Sequence, residues 1–258
     1  MQWTIDQLAA AWPRPSEQGD KYARGAVGID TGSSRYPGAA ILSTLGALYS
    51  GAGFIRFCGA EVAHAALLVL APSVTFGPGR VNAWLLGSGW DDQVDNQQRF
   101  DRFVATGAPL VLDAGAIALL SQPVGQPCLL TPHAGELARL LGVKRQQIEE
   151  QPARWASQAA ARYNVTVLLK GHRQCVVSPD GSLDWAMVGP SWTAQAGSGD
   201  CLGGISASLM AQGLSAHQAG LVAASVQAET ARVHPGPYPP QQLLSFLPAM
   251  IAALTNEI

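Results

Sequence analysis

The sequence predicts an α/β fold, a three-layer α/β/α sandwich around a mostly parallel central sheet. Three features carry that expectation. Apolar runs of strand length alternate with longer stretches of helical period along most of the chain, the order that builds a parallel sheet with helices on both faces. The run AWLL at 83–86 is apolar at every position, as strands buried on both faces are. It passes directly into Gly87, Ser88 and Gly89, a turn that opens a crevice at the carboxyl edge of the sheet, where ligands of such folds gather.

Taken in order, residues 5–12 predict a short helix and 13–25 a loop. A strand at 26–29 leads through a polar turn at 31–36 into a long helix with Pro37 in its first turn and Gly51 at its end. A strand at 54–57, a short helix at 61–66 and a strand at 67–70 follow. After the 83–86 strand come a helix at 95–106 and strands at 109–112 and 128–130. Thr131 is the expected cap of the next helix, with Pro132, His133 and Glu136 in its first turn. Helices at 146–151 and 153–163 precede a strand at 165–169, an SPDG turn joined to a strand at 174–177, and an antiparallel strand at 184–188. Beyond Gly213, Ser215 and Gln218 form a capping box for a helix to about Arg232. PYPPQ then breaks the chain before a last amphipathic helix at 243–254.

Composition excludes several classes of function. The 258 residues are 48% hydrophobic and 13% charged, with net charge -2, which leaves no basic footprint for nucleic acid. The longest apolar runs are too short to span a bilayer, and MQWTIDQLAA lacks a basic region followed by an apolar one, so a cytoplasmic protein without membrane contact is expected. Cys58, Cys128, Cys175 and Cys201 stand singly, with no Cys-x-x-Cys pair to hold zinc or begin a disulfide framework. No linker rich in Pro, Gly or Ser divides the chain, and we expect a single domain over 1–258, with 1–23 as an N-terminal extension.

Chemistry concentrates in WTAQAGSGDCLGGISASLMAQG, residues 192–213. A glycine run, Gly197-Ser198-Gly199, enters a helix whose apolar face is marked by Leu202, Ile205 and Leu209. Unpaired amides and the macrodipole make that end welcoming to phosphate or a developing oxyanion. Asp200 stands beside it, expected to be ionised at neutral pH and able to take a proton from an attacking hydroxyl. Simple capping by Ser198 or Asp200 is the competing reading, although capping does not call for two glycines. A thiol at Cys201 activated by the helix end is a weaker idea. Gly89, Asp113, His133 and Glu136 should share the rim with Asp200. Glu136 either complements the helix dipole or orients a hydrated magnesium ion. Lys170 is one of three lysines against thirteen arginines, and directly after an apolar strand it reads as a phosphate contact. Gly38, Ala39 and Ala40 are small enough for a ligand to approach, or for the helix to pack closely.

No Gly-Lys-Ser or Gly-Lys-Thr occurs, and no strand is followed by the spaced glycines of a dinucleotide-binding turn. The ordered motifs YPGAAILSTLGALYSGAG, LLGSG, PLVLDAGAI, LLTPHAGELARLLG, LLKG and AGSGDCLGGISASLMAQGLS instead resemble the ribokinase-like superfamily, and within it the ADP-dependent NAD(P)H-hydrate dehydratase family, from about Arg24 to Arg232. The resemblance implies repair of the S form of hydrated NADH or NADPH. The ring hydroxyl would be phosphorylated from ADP, with Mg2+ present, and phosphate then eliminated, giving NAD(P)H, AMP and phosphate. It implies Asp200 as base and Gly197, Ser198 and Gly199 as anion hole. Lys170, Gly171, His172, Arg173, Gln174 and Gly199 would contact ADP or ATP, Ala39 or Ala40, Gly89, His133 and Asp200 the hydrated cofactor, and Glu136 the metal through water. It also implies a homotetramer, here without the epimerase domain fused to some relatives. The chain departs from the family pattern at Ser88, Gly115, Ala196 and His172–Gln174. A vitamin-precursor alcohol kinase of the same superfamily and a catalytically silent nucleotide-binding homologue are the alternatives.

Overall fold

In the structure, a computed structural model describing residues 1–91 and 95–255, helix α1 (Ile5–Ala11) precedes strand β1 (Ala26–Asp30). The chain continues through α2 (Pro37–Tyr49), β2 (Phe54–Phe57), α3 (His64–Leu70), β3 (Thr75–Phe76), β4 (Ala83–Leu86), α4 (Asn96–Val104), β5 (Leu110–Leu112) and β6 (Cys128–Leu130). Then follow α5 (Ala134–Leu141), α6 (Arg145–Glu150), α7 (Pro152–Tyr163), β7 (Thr166–Leu169), β8 (Cys175–Val177), β9 (Leu183–Trp185), α8 (Ser198–Ala211), α9 (Ala216–Val233), α10 (Pro240–Ser245) and α11 (Leu247–Thr255).

The strands form one sheet in the order β3-β2-β1-β4-β5-β6-β7-β8-β9, parallel from β3 through β7 and antiparallel at β8 and β9. Successive residues of a strand point to opposite faces, so each strand feeds two cores. Leu85, Val111, Leu129 and Leu168 pack with α2, α8 and α9, while Trp84, Leu86, Leu110, Leu112 and Leu130 pack with α4, α5 and α7. Both faces being covered explains the unbroken apolar runs. Because the strands run parallel, the turns after β1, β4, β5, β6 and β7 all leave at one edge, and the N-termini of α2 and α8 arrive there too.

The structure corrects three expected elements. Residues 67–70 are not a strand but the end of α3, where only Leu67 is buried and Leu68, Val69 and Leu70 are exposed. Ala- and Leu-rich sequence favours helix, and the strand that does form nearby, β3, is only two residues long. The helix expected at 243–254 is two helices that part at Phe246, since Pro248 has no N–H for a continuous ladder but suits a first turn. The last antiparallel strand stops at Trp185 rather than reaching 188. Among the described residues no helix is long and apolar enough to cross a membrane.

Candidate active site

The cradle begins at Gly197, which caps α8 with φ +95°, a left-handed conformation that glycine adopts without strain. A Cβ there would also lie 2.5 Å from Leu42 Cδ1, so a side chain would strain the backbone and displace the tip of Leu42. Ser198 N–H is spent on Gln195 O, 3.2 Å away, and Cys201 N–H on Gly197 O. The amides between them, of Gly199 and Asp200, have no backbone acceptor among the described residues and form the free pair of the expected anion hole. The loop is pinned from outside: Gln195 Nε2 donates to the carbonyls of Trp192 and Tyr238, and Gln227 Nε2 to Ser198 O.

Below the cradle the strand ends converge on Asp113, a buried carboxylate after β5. It accepts from Ser88 Oγ after β4 (2.8 Å), from Thr131 Oγ1 after β6 (2.8 Å) and from Lys170 Nζ after β7 (2.7 Å). Ser88 therefore has work that a proline could not do. The Lys170 ammonium also lies 3.9 Å from Glu136 Oε2, and a Cβ on Gly199 would be 3.2 Å from it. Burial opposes its charge, but the carboxylates of Asp113, Glu136 and Asp200 outweigh burial and hold it protonated. Lys170 is thus first an internal counter-charge at the cradle, within reach of whatever occupies it.

Asp200 is corrected on one point. Partly buried and accepting no hydrogen bond from the described residues, its carboxyl is pushed up to about 7 by burial and by the negative charge of Asp113, with Lys170 pulling the other way and Glu136 adding to the rise. It is poised at neutral pH rather than simply ionised. Cys201, by contrast, is buried and its thiol is raised far out of the reactive range, which removes it as a nucleophile.

His133, not Thr131, caps α5: its Nδ1 accepts from the amides of Gly135 (2.9 Å) and Glu136 (3.2 Å), while Glu136 Oε2 accepts from His133 N–H. Thr131 is already turned to Asp113, and Pro132 precedes the helix. With Nδ1 an acceptor, the neutral ring carries its proton on Nε2, on an exposed edge. Gly89, at φ +68°, closes on Ala39: a Cβ on Gly89 would meet that of Ala39 at 2.5 Å. Ala40 is fully buried in the core, so Ala39 is the member of the pair beside Gly89. Gly115 lies against Trp90, whose Cβ a side chain there would meet at 2.8 Å. Gly171, His172 and Arg173 form the exposed turn between β7 and β8, Arg173 folded over the Trp185 ring, and Gln174 O bonds back to Ala186 N–H.

Sequence reasoning missed a second group on the same rim. Asp30, at the end of β1, is fully buried and ion-paired with Arg99 and more loosely with Arg102, both on α4. Arg99 lies over the Trp90 ring, and Trp90 donates its indole N–H to Asp30 O. An aspartate ending an apolar strand was the available signal; its partner Arg99 stands 69 residues away.

The fold defines a class, the ribokinase-like α/β fold, here with two amides lacking backbone acceptors among the described residues and a carboxylate at one sheet edge. A ribokinase-like superfamily protein from Enterococcus faecalis superposes with TM-score 0.89 at 22% identity, covering 98% of this chain and 95% of that one. Within the class, residues 27–246 match the family described as NAD(P)H-hydrate dehydratase, and the chain belongs to that family. It is 34% identical to an ADP-dependent (S)-NAD(P)H-hydrate dehydratase of Xanthomonas campestris, over 82% of this chain and 81% of the relative. It is 37% identical to a bifunctional NAD(P)H-hydrate repair enzyme of Mycobacterium tuberculosis over 82% of its length, and it spans about half of such bifunctional relatives, 46% in this case. An ADP/ATP-dependent NAD(P)H-hydrate dehydratase of Bacillus subtilis, co-crystallised with ATP and Mg2+, superposes with TM-score 0.91 at 26% identity over 98% of both chains.

Proposed function

We propose that this protein dehydrates the S form of hydrated NADH and NADPH at the expense of ADP. The observation that carries the reading is Asp200: a carboxyl poised near neutrality beside two amides without backbone acceptors among the described residues and a mostly buried ammonium. Asp200 takes the proton of the ring hydroxyl, and that oxygen attacks the terminal phosphorus of ADP as the bond to AMP breaks. The amides of Gly199 and Asp200 receive the charge on the moving phosphoryl group. Phosphate, a far better leaving group than hydroxide, then departs from the ring with its C–O bonding pair, and the adjacent ring carbon gives up a proton to solvent, which forms the ring double bond of NADH or NADPH. His133 Nε2–H, Ala39 and Gly89 form the substrate wall. Lys170 and the Gly171–Gln174 turn form the nucleotide wall. The chain acts as one ribokinase-like unit with residues 1–23 as an extension, as a cytoplasmic homotetramer.

Among the described residues no three His, Cys, Asp or Glu side chains are grouped to hold a metal ion. Glu136 nonetheless fits Mg2+ carried on a nucleotide, because it uses Oε2 for its cap while its Oε1 accepts no hydrogen bond among the described residues, His133 Nε2 lying 3.6 Å away. Glu136 would hold such an ion through water, and the ion would offset phosphate charge.

The test supplies hydrated NADH or hydrated NADPH with ADP or ATP and Mg2+. The reading predicts recovery of the reduced-nicotinamide absorbance with AMP and phosphate formed in step when ADP is given. A stable phosphorylated product would make the protein a kinase instead, and nucleotide binding without turnover would make it a silent homologue.

A further inference from the structure

A cavity of about 840 Å3 opens over the ends of β1 and β2, bounded by the Gly32–Ser34 loop, the turn at Glu61, and Asp95, Arg99 and Arg102 of the α4 region. Its size is that of a pocket for a drug-sized ligand, roughly 300–1,000 Å3. It adjoins the substrate wall of the active site, on the side away from Lys170: Gly32 N–H donates to Ser88 O at 2.7 Å, and Trp90, next to Gly89, lies under Arg99.

The cavity is built, not incidental. Asp30 is fully buried beneath it, with Oδ1 bound to Arg99; its Oδ2 accepts no hydrogen bond among the described residues and lies 3.7 Å from Arg102. The buried acid locks Arg99 in place, and Trp90 supports that guanidinium from below. Arg102, its side chain 66% exposed, keeps donors to offer. Glu61 and Asp95 add two acids to the lining of the same cavity. A bare inorganic anion would be repelled by the two acids. A ribosyl phosphate satisfies both walls, since guanidinium forks suit phosphate oxygens and carboxylates accept from sugar hydroxyls.

Resting on the dehydratase reading, we propose that this cavity takes the phosphate-bearing adenosine end of the hydrated dinucleotide, with Arg102 and Arg99 on its phosphate oxygens. Two parts of that end have the required chemistry, the pyrophosphate bridge and the 2′-phosphate present only in the NADPH form. The test uses the full-length chain and Arg102→Ala, with Arg102→Lys as the charge-preserving control, and measures calorimetric binding of hydrated NADH and hydrated NADPH without ADP, then kcat/KM with ADP. Arg102 is mostly exposed and Arg99 still pairs with Asp30 in the variants, so each should remain folded, which a melting curve beside the wild type checks.

Arg102→Ala is expected to weaken binding about tenfold or more, the scale of one charge-assisted contact. Weakening of both hydrates assigns the pyrophosphate, and weakening of the NADPH form alone assigns the 2′-phosphate. Arg102→Lys should recover part of the loss, and KM for ADP should not move. Unchanged binding of both hydrates to Arg102→Ala would overturn the proposal, as would wild-type protein that binds neither. Wild-type protein that binds the hydrates but never turns them over would defeat the dehydratase reading and leave the subsite to be judged by the binding arm alone.

Discussion

At the scale of single residues the site is a charge problem: three carboxylates, Asp113, Glu136 and Asp200, around one ammonium, Lys170. Because the proposed base, Asp200, must be ionised to act and its carboxyl is pushed up to about 7, kcat/KM should fall tenfold per pH unit below about 7, read from a pH–rate profile. Among the described residues Lys170 is the only group lowering that value, so in Lys170→Met the acid limb should move to higher pH. The same variant strands a buried Asp113 and should lose about 3 kcal/mol in urea unfolding. The folded protein also prefers Asp200 protonated, since its value in the fold lies above that of the unfolded chain. Its contribution to stability is therefore complete below pH 3.8 and is lost as pH rises through about 7. Asp200→Asn should accordingly melt higher than wild type above neutral pH and no higher in acid. Asp200 and its glycines were legible because a glycine run entering a helix has a direct physical meaning. The rise in its pKa was not, because Asp113 and Glu136 reach it only through the folded strand ends.

At the scale of elements, what aims the cradle is the contact between α2 and α8. Gly46 packs against Cys201 O, where an added Cβ would be 2.5 Å away, and Gly204 against Ser43 O, at 2.0 Å. Neither contact can absorb a methyl group without separating the helices. Gly204→Ala should cost about 2 kcal/mol, seen as a lower melting temperature, and should weaken ADP binding because the N-terminus of α8 shifts with its axis. The strands at β1, β4 and β6 were readable from their apolar runs, and α2 and α9 from Pro37 and Ser215 at their starts. Reading failed where apolar sequence is ambiguous. The apolar run of HAALLVL imitates a buried strand, although its Ala and Leu favour helix, and in the fold only Leu67 is buried. The cap of α5 was misread because Thr131 is the better cap by type, yet Asp113 claims its hydroxyl and leaves the task to His133.

At the scale of the molecule, one sheet edge is divided into two ends that meet over β4 and β5. The proposed nucleotide end lies at β7 and β8, and the proposed substrate end runs from Gly89 and Ala39 towards Asp30 at β1. The alternation of elements made this edge predictable, but the pairing of Asp30 with Arg99 depends on which helix returns over β1 and had no local signature. A ligand that binds only the assembled edge stabilises the whole fold, so ADP at a hundred times its Kd should add about 2.7 kcal/mol to unfolding free energy, visible as a raised melting temperature. The most direct trial of the account is Asp200→Asn, with ADP binding measured by calorimetry and turnover of hydrated NADH measured by absorbance. We predict ADP affinity close to wild type and turnover reduced by roughly 100-fold to 10,000-fold. Turnover near the wild-type rate would contradict it, because the proton would then leave by another route.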